Sequence, residues 1–240
     1  VIIREGRIAA VGRAADLHTT PVIDYGDAVI CPGFVNAHTH LELTHLAGKV
    51  PPSPDFVHWL KRLTGLLMAQ PATADNVAKA VCTGIAESLA AGVTTIGDIT
   101  RRPAWSRQAL AASPIRAVSF GEVIAMGRLR TQLNDRLEAA ASIGHKSDRL
   151  AIGISPHAPF TVEPDGLRAC AERARRMNAL LCIHLAETAE EATFTQSRSG
   201  RFKEFLQEMG IWDEDIPLAD CSPVELCQTT GVLGRRTVIA

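Results

Sequence analysis

The sequence predicts an α/β fold of parallel strands alternating with helices, the opening portion of a TIM-type (β/α)8 barrel. Three observations point there. From residue 30 onward, short β-prone runs alternate with longer stretches of helical periodicity. Five such units follow one another, and the closing run "RRTVIA" begins a sixth strand. A crossover helix returns the chain to the same edge of the sheet, so strands joined this way pair in parallel. Five units and part of a sixth exceed what a doubly wound sheet needs. They suit about the first five to six units of a barrel that takes roughly 250 residues by itself. The 240 residues, 46% of them hydrophobic, are enough to bury a sizeable core.

Residues 1–30 stand apart. "VIIREGRIAAVG" and "PVIDYGDAVI" read as short strands, with glycines at 6, 12 and 26 marking tight turns of a small sheet. Residues 31–240 carry the alternating units. "ICPGFVNAH" reads as the first barrel strand. In "SPDFVHWLKRLTGLLM", Phe56, Trp59, Leu60, Leu63 and Leu67 recur at helical spacing. Val77, Val81, Ile85 and Leu89 line the next helix, which stops at Gly92. "VTTIGDI" and "PIRAVSFGEVI" follow as strands, then a helix marked by Leu133, Leu137 and Ala140. "LAIGISPH" is the fourth strand, backed by a helix bearing Leu167, Cys170, Ala171 and Ala174, and "ALLCIHLAE" is the fifth. Phe202, Phe205, Leu206 and Met209 give one more helical stripe.

Composition excludes several classes of partner. A net charge of -1 offers no electrostatic footprint for nucleic acid or an anionic membrane. No apolar run approaches the roughly 18 residues of a membrane span. The opening residues lack the basic start and apolar core of a secretory signal. Six scattered cysteines without a Cys-x-x-Cys pair suit a reducing cytoplasm. No glycine-rich phosphate loop is present, which ranks a phosphoryl-ligand barrel last. The first residue is Val, and the last run is apolar with no turn after it, so both ends read as cut.

The chemistry lies at strand ends. In "PGFVNAHTHLELTHL", alternation along the strand projects His38 and His40 to one side together with Asn36. This is the C-terminal end, where parallel α/β folds build their sites. Two imidazoles at that spacing can reach one divalent ion. A bare His-x-His is weak evidence, since a wet strand end can carry two histidines bonded to loop carbonyls. His157 at the end of the fourth strand and His184 at the end of the fifth change the balance, because four of eight histidines then share one rim. His18, His45, His58 and His145 fall in loops or on helices and need no functional account. Glu187, three residues after His184, can accept a proton from an activated water; the alternative is a solvated acid or a helix N-cap ahead of "TAEEATF". Glu42 can face the same cavity and touch substrate, or neutralise an arginine.

These motifs resemble the amidohydrolase superfamily, in its deaminase and chlorohydrolase branch. "PGFVNAHTHLELT", "SPHAPFTV" and "CIHLAETAEE" are similar to its first-, fourth- and fifth-strand signatures and occur in that order. The "HTHLEL" form resembles aminofutalosine-type deaminases. The resemblance implies a barrel beside a small β-sandwich, with residues 1–30 as the N-terminal part of the sandwich. It implies one divalent ion, zinc or iron, on His38, His40 and His184, with Glu187 as the proton shuttle. His157 and Trp59 would contact substrate, although Trp59 also fits the core side of its helix.

The family also supplies a sixth-strand histidine and an eighth-strand metal-binding aspartate. This sequence stops at Ala240, where that histidine would come next, and Asp98 on the second strand cannot replace the aspartate. The polypeptide as given is therefore expected to be inactive, with an exposed sheet edge inviting aggregation. The complete protein is expected to catalyse hydrolytic deamination of an aminopurine-like or nucleoside-like heterocycle, releasing ammonia. The alternatives are a chlorohydrolase or cyclic-amide hydrolase, or a non-catalytic metal-binding module. A small molecule is the expected partner. Barrels of this size often form homo-oligomers, although no interface is legible in these residues.

Overall fold

The structure is a computed structural model and describes residues 1–17, 21–144 and 147–240. It divides into two compact units, Val1–Pro32 and Gly33–Ala240. In the first, β1 (Ile2–Arg4) and β2 (Arg7–Ala10) form an antiparallel hairpin. Its two-residue turn, Glu5–Gly6, has φ of 50° and 71°. Positive φ at both positions matches the right-handed twist of the flanking strands. "PVIDYGDAVI" contains no strand among its described residues. Its apolar side chains Val22, Ile23, Val29 and Ile30 are exposed, so no packed face holds the segment extended.

The second unit is a six-stranded sheet with strands in sequence order and every pair parallel. The strands are β3 (Phe34–Thr39), β4 (Val93–Thr100), β5 (Arg116–Val123), β6 (Leu150–Pro156), β7 (Leu180–Ile183) and β8 (Thr237–Ile239). Helices α1 (Phe56–Ala69) and α2 (Ala74–Ala90) separate β3 from β4. Helices α3 (Pro103–Ala111), α4 (Leu133–Ala141) and α5 (Pro164–Arg176) fill the next three connections. Helices α6 (Ala189–Ser197), α7 (Arg201–Glu208) and α8 (Pro223–Thr229) lie between β7 and β8. This is a partial TIM-type barrel, as the alternation predicts.

Helices α3 and α8 are additions to the sequence reading, which places a helix at α6 only as an alternative setting for Glu187. The buried face of α3 includes Ser106 and Arg107, and that of α6 is Glu191, Phe194 and Thr195, so neither shows an apolar stripe. Helix α8 is short, but "SPVE" announces it. Ser222 and Glu225 form a reciprocal capping box, with Pro223 in the first turn.

Strand alternation decides which residues meet the helices and which line the concave side. Ile154 on β6 packs with Leu167, Cys170, Ala171 and Ala174 of α5. Fully burying a side chain such as Leu167 contributes about 1.5–3 kcal/mol. Ile96 packs with Val77, Val81 and Ile85 of α2. On the opposite face, Ile99, Phe120 and Cys182 form a small cluster inside the sheet. Two residues beyond Phe120 and Cys182 along the same faces come Glu122 and His184. The polar site thus sits on top of an apolar plug, at the C-terminal strand ends.

Candidate functional site

His38 and His40 are brought together by an irregular strand end. Asn36 pairs with Ile96, but the next pair is Thr39 with Asp98, so β3 advances three residues while β4 advances two. This bulge re-aims the side chains around His38. Asn36 does not join the two histidines in the cavity wall; its Oδ1 accepts a hydrogen bond from His38 N at 3.2 Å. His40 lies just beyond the strand, and the next backbone N–H, of Leu41, donates to Asp98 Oδ1 at 2.8 Å. Gly97 permits this approach: a Cβ there would stand 2.2 Å from the carbonyl oxygen of Ala37. Asp98 is therefore an anchor for the loop, on the face of Ile96 and away from the histidine cluster.

The third histidine arrives from β7. His184 Nδ1 donates to the His157 carbonyl oxygen at 2.9 Å, which leaves the lone pair of Nε2 pointing into the site. That Nε2 is 3.3 Å from His40 Nε2. Ring centroids of His38 lie 5.0 Å from His40 and 4.8 Å from His184. One potential ligand atom from each of the three rings falls within 4.8 Å of the others. His157 packs beside them, its ring centroid 4.9 Å from His184 and its Nδ1 2.7 Å from Thr161 Oγ1.

The electrostatics suit neutral imidazoles. Burial, reinforced by the neighbouring rings, lowers the pKa of His40 to about 3, and burial followed by His184 lowers that of His38. His157 is held well below its ordinary value by burial first and the His184 and His40 rings next. A metal ligand must be deprotonated. His38 Nδ1 is buried without a hydrogen-bond partner. An orphaned nitrogen beside two imidazole nitrogens facing each other is the donor set a divalent ion satisfies.

A cavity of about 1000 Å³ opens over this cluster. Trp59, Leu60, Leu63 and Leu67 of α1 form an apolar wall, and His38, His40, His157, His184, Glu42 and Glu187 line it as well. All seven site residues singled out from the sequence therefore face one space. Glu42 is 6% exposed and both its oxygens are engaged: Thr100 Oγ1 donates to Oε2 at 2.7 Å, and the Arg101 N–H donates to Oε1 at 3.0 Å. Glu187 has its pKa raised by burial, against the lowering influence of His184. Of the other histidines, His45 lies in a short 3-10 helix and His58 on α1, while His18 and His145 fall outside the described residues.

Sequence reasoning missed Glu122. Its side chain is 3% exposed and its Oε1 stands 4.0 Å from His157 Nε2, with Arg101 Nε 3.8 Å from the other oxygen. Burial pushes its pKa up to about 7. The signal was available: a lone acid closes the apolar run "AVSFGEVI", two residues beyond the inward-facing Phe120.

The sequence model described as the amidohydrolase family matches residues 29–232. The chain belongs to the amidohydrolase family. This amidohydrolase is 34% identical over 233 residues to a 5-methylthioadenosine/S-adenosylhomocysteine deaminase from Syntrophobacter fumaroxidans, covering 92% of this chain and 52% of that protein. Among solved structures it is similar to a zinc-bound adenosine deaminase from Xanthomonas campestris, with a TM-score of 0.65, 19% identity, and coverage of 87% of this chain and 44% of that one. An aminofutalosine deaminase from Helicobacter pylori gives a TM-score of 0.64 at 23% identity, covering 80% of this chain and 44% of that one. At such identities the structures speak for the fold. The amidohydrolase chain spans about half the length of the curated relatives it matches.

Proposed function

We propose that the whole protein is a hydrolytic deaminase of an aminopurine-like or nucleoside-like heterocycle, with ammonia as its product. The observation that carries this reading is the convergence of His38, His40 and His184 within 4.8 Å at the C-terminal strand ends, beside Glu187. In this reading the three histidines hold one divalent ion, zinc by preference and iron(II) as the second choice. Such an ion supplies the Lewis acidity that makes water a competent nucleophile near neutral pH. Glu187 would take one proton from water and pass it to the ring nitrogen, then carry a second from the added hydroxyl to the amino group, which departs as ammonia.

Trp59 and His157 are assigned to substrate. The Trp59 ring lies on the apolar wall where a planar heterocycle can stack, and His157 offers Nε2 as a polar contact. Glu42 faces the same space, and its two internal hydrogen bonds fix it as a shaped acceptor. Residues 1–30 are read as the N-terminal part of a β-sandwich and 31–240 as the barrel. Six free cysteines accord with a reducing cytoplasm. Among the described residues no helix is long and apolar enough to cross a membrane.

The test is product analysis with full-length, metal-loaded protein on adenosine-type substrates and on chlorotriazines. Ammonia release that is abolished by Glu187→Gln supports the proposal. Chloride release with no ammonia assigns the rival leaving group. No turnover of either, with about one metal per chain retained, overturns the deaminase reading.

A further inference from the structure

Helix α6 begins two residues after Glu187, and its first turn departs from ordinary capping. Thr188 is the N-cap and accepts a hydrogen bond from the N–H of Glu191 at 3.3 Å. In a capping box the acid at this position reaches back to the N–H of the cap residue itself. Glu191 reaches further. Its Oε1 accepts from Ala186 N at 3.1 Å and its Oε2 from Glu187 N at 2.9 Å, so both oxygens are spent on the turn ahead of the helix. Ala186 is held there at φ 58°, a left-handed conformation that a residue with a Cβ rarely adopts. Glu191 is 0% exposed and is absent from the cavity wall that Glu187 lines.

A fully buried carboxylate is costly and persists where it is closely bonded. Here its bonds go to the peptide that carries the Glu187 side chain and to the strained peptide before it. We propose that Glu191 is a positioning residue that clamps the Ala186–Glu187 turn and so aims the Glu187 carboxyl into the cavity. The clamp explains how a non-glycine residue is kept left-handed at position 186. It also explains why α6 buries an acid at its first turn, where the positive end of the helix dipole favours negative charge. This inference rests on Glu187 as the proton carrier.

The experiment compares full-length, metal-loaded Glu191→Gln with wild type and with Glu187→Gln, reading metal per chain, kcat, KM, the pH profile of kcat and amide hydrogen exchange. For Glu191→Gln we expect unchanged metal content, KM within about threefold, and faster exchange at residues 186 and 187. We expect kcat to fall by about 10- to 100-fold, the scale of a misplaced reacting group, and its pH profile to move. A purely structural Glu191 would lower the melting temperature and leave kcat and its pH profile at wild type, and that result overturns the clamp. Wild-type kcat in Glu187→Gln would instead remove the proton-carrier reading, and this inference with it. If Glu191→Gln does not fold, Glu191→Asp probes the same contact, since a carboxyl one methylene shorter cannot reach both N–H groups of the turn. A several-fold loss of kcat at unchanged stability supports the clamp, and an unchanged kcat refutes it.

Discussion

The His184 Nδ1–H donates to the carbonyl oxygen of His157 at 2.9 Å, so the end of β6 orients the ring at the end of β7. Neighbouring parallel strands thereby fix a tautomer, with His184 Nε2 held toward His40. Outer hydrogen bonds of this kind commonly govern metal affinity by 10- to 100-fold.

Metal dependence is the first prediction. Removing any of His38, His40 or His184 by substitution with Ala should abolish stoichiometric zinc or iron uptake, measured by elemental analysis after dialysis. Chelation of the wild type should lower its melting temperature. A ligand present at a thousand times its Kd stabilises the folded state by about 4 kcal/mol, and removing it withdraws that amount. Equal melting temperatures with and without metal would contradict a site preformed in the fold.

Gly97 should tolerate no side chain. A methyl group there would lie 2.2 Å from the Ala37 carbonyl oxygen and 3.3 Å from the Phe120 ring, and a backbone atom cannot swing aside. Gly97→Ala should cost about 1–3 kcal/mol in urea denaturation, the usual range for overpacking. It should also weaken metal binding, because β3 must retreat and carry His38 with it. Loss of stability with wild-type metal affinity would detach the bulge from the site.

The pH dependence of stability should carry a signature of Asp98. Burial raises its pKa from 3.8 to about 8, against the hydrogen bond from Leu41. The folded state keeps a proton that the unfolded chain gives up, so stability falls as pH rises from about 4 to about 8. Asp98→Asn retains an oxygen for Leu41 N and removes the titration. Its stability relative to wild type should therefore increase between pH 5 and pH 8, measured by chemical denaturation across that range. A difference independent of pH would mean that Asp98 is ionised in the fold.

Arg107 should matter for folding without touching the site. It is 1% exposed, and its guanidinium donates to the carbonyl oxygens of Ser119, Ala140 and Ser142 at 3.1, 2.8 and 2.6 Å. Arg107→Leu strands those acceptors, each costing about 1–3 kcal/mol when left unpaired. A loss of about 3 kcal/mol or more is expected in denaturant titration, with metal content per folded chain unchanged. A near-neutral result would mean that water replaces the guanidinium at the end of α4.

Helices α1, α2, α4, α5 and α7 were legible because each must bury one apolar face, and that requirement writes a 3.6-residue period into the sequence. Helices α3 and α6 bury Arg107 and Glu191, polar groups whose partners come from elsewhere in the fold, so periodicity is silent there. The same division runs through the site. His38, His40, His157 and His184 could be located from the sequence alone, since each closes an apolar strand and parallel strands end on one rim. Local chemistry thus determined the alternating fold, the family motifs and the residues that reach the rim. Only the tertiary structure decided that β3 bulges at His38, that both Glu42 oxygens are occupied, and that Glu191 grips the turn before its own helix. Those outcomes depend on register between strands and on hydrogen bonds between groups up to tens of residues apart, and no local pattern encodes such pairings.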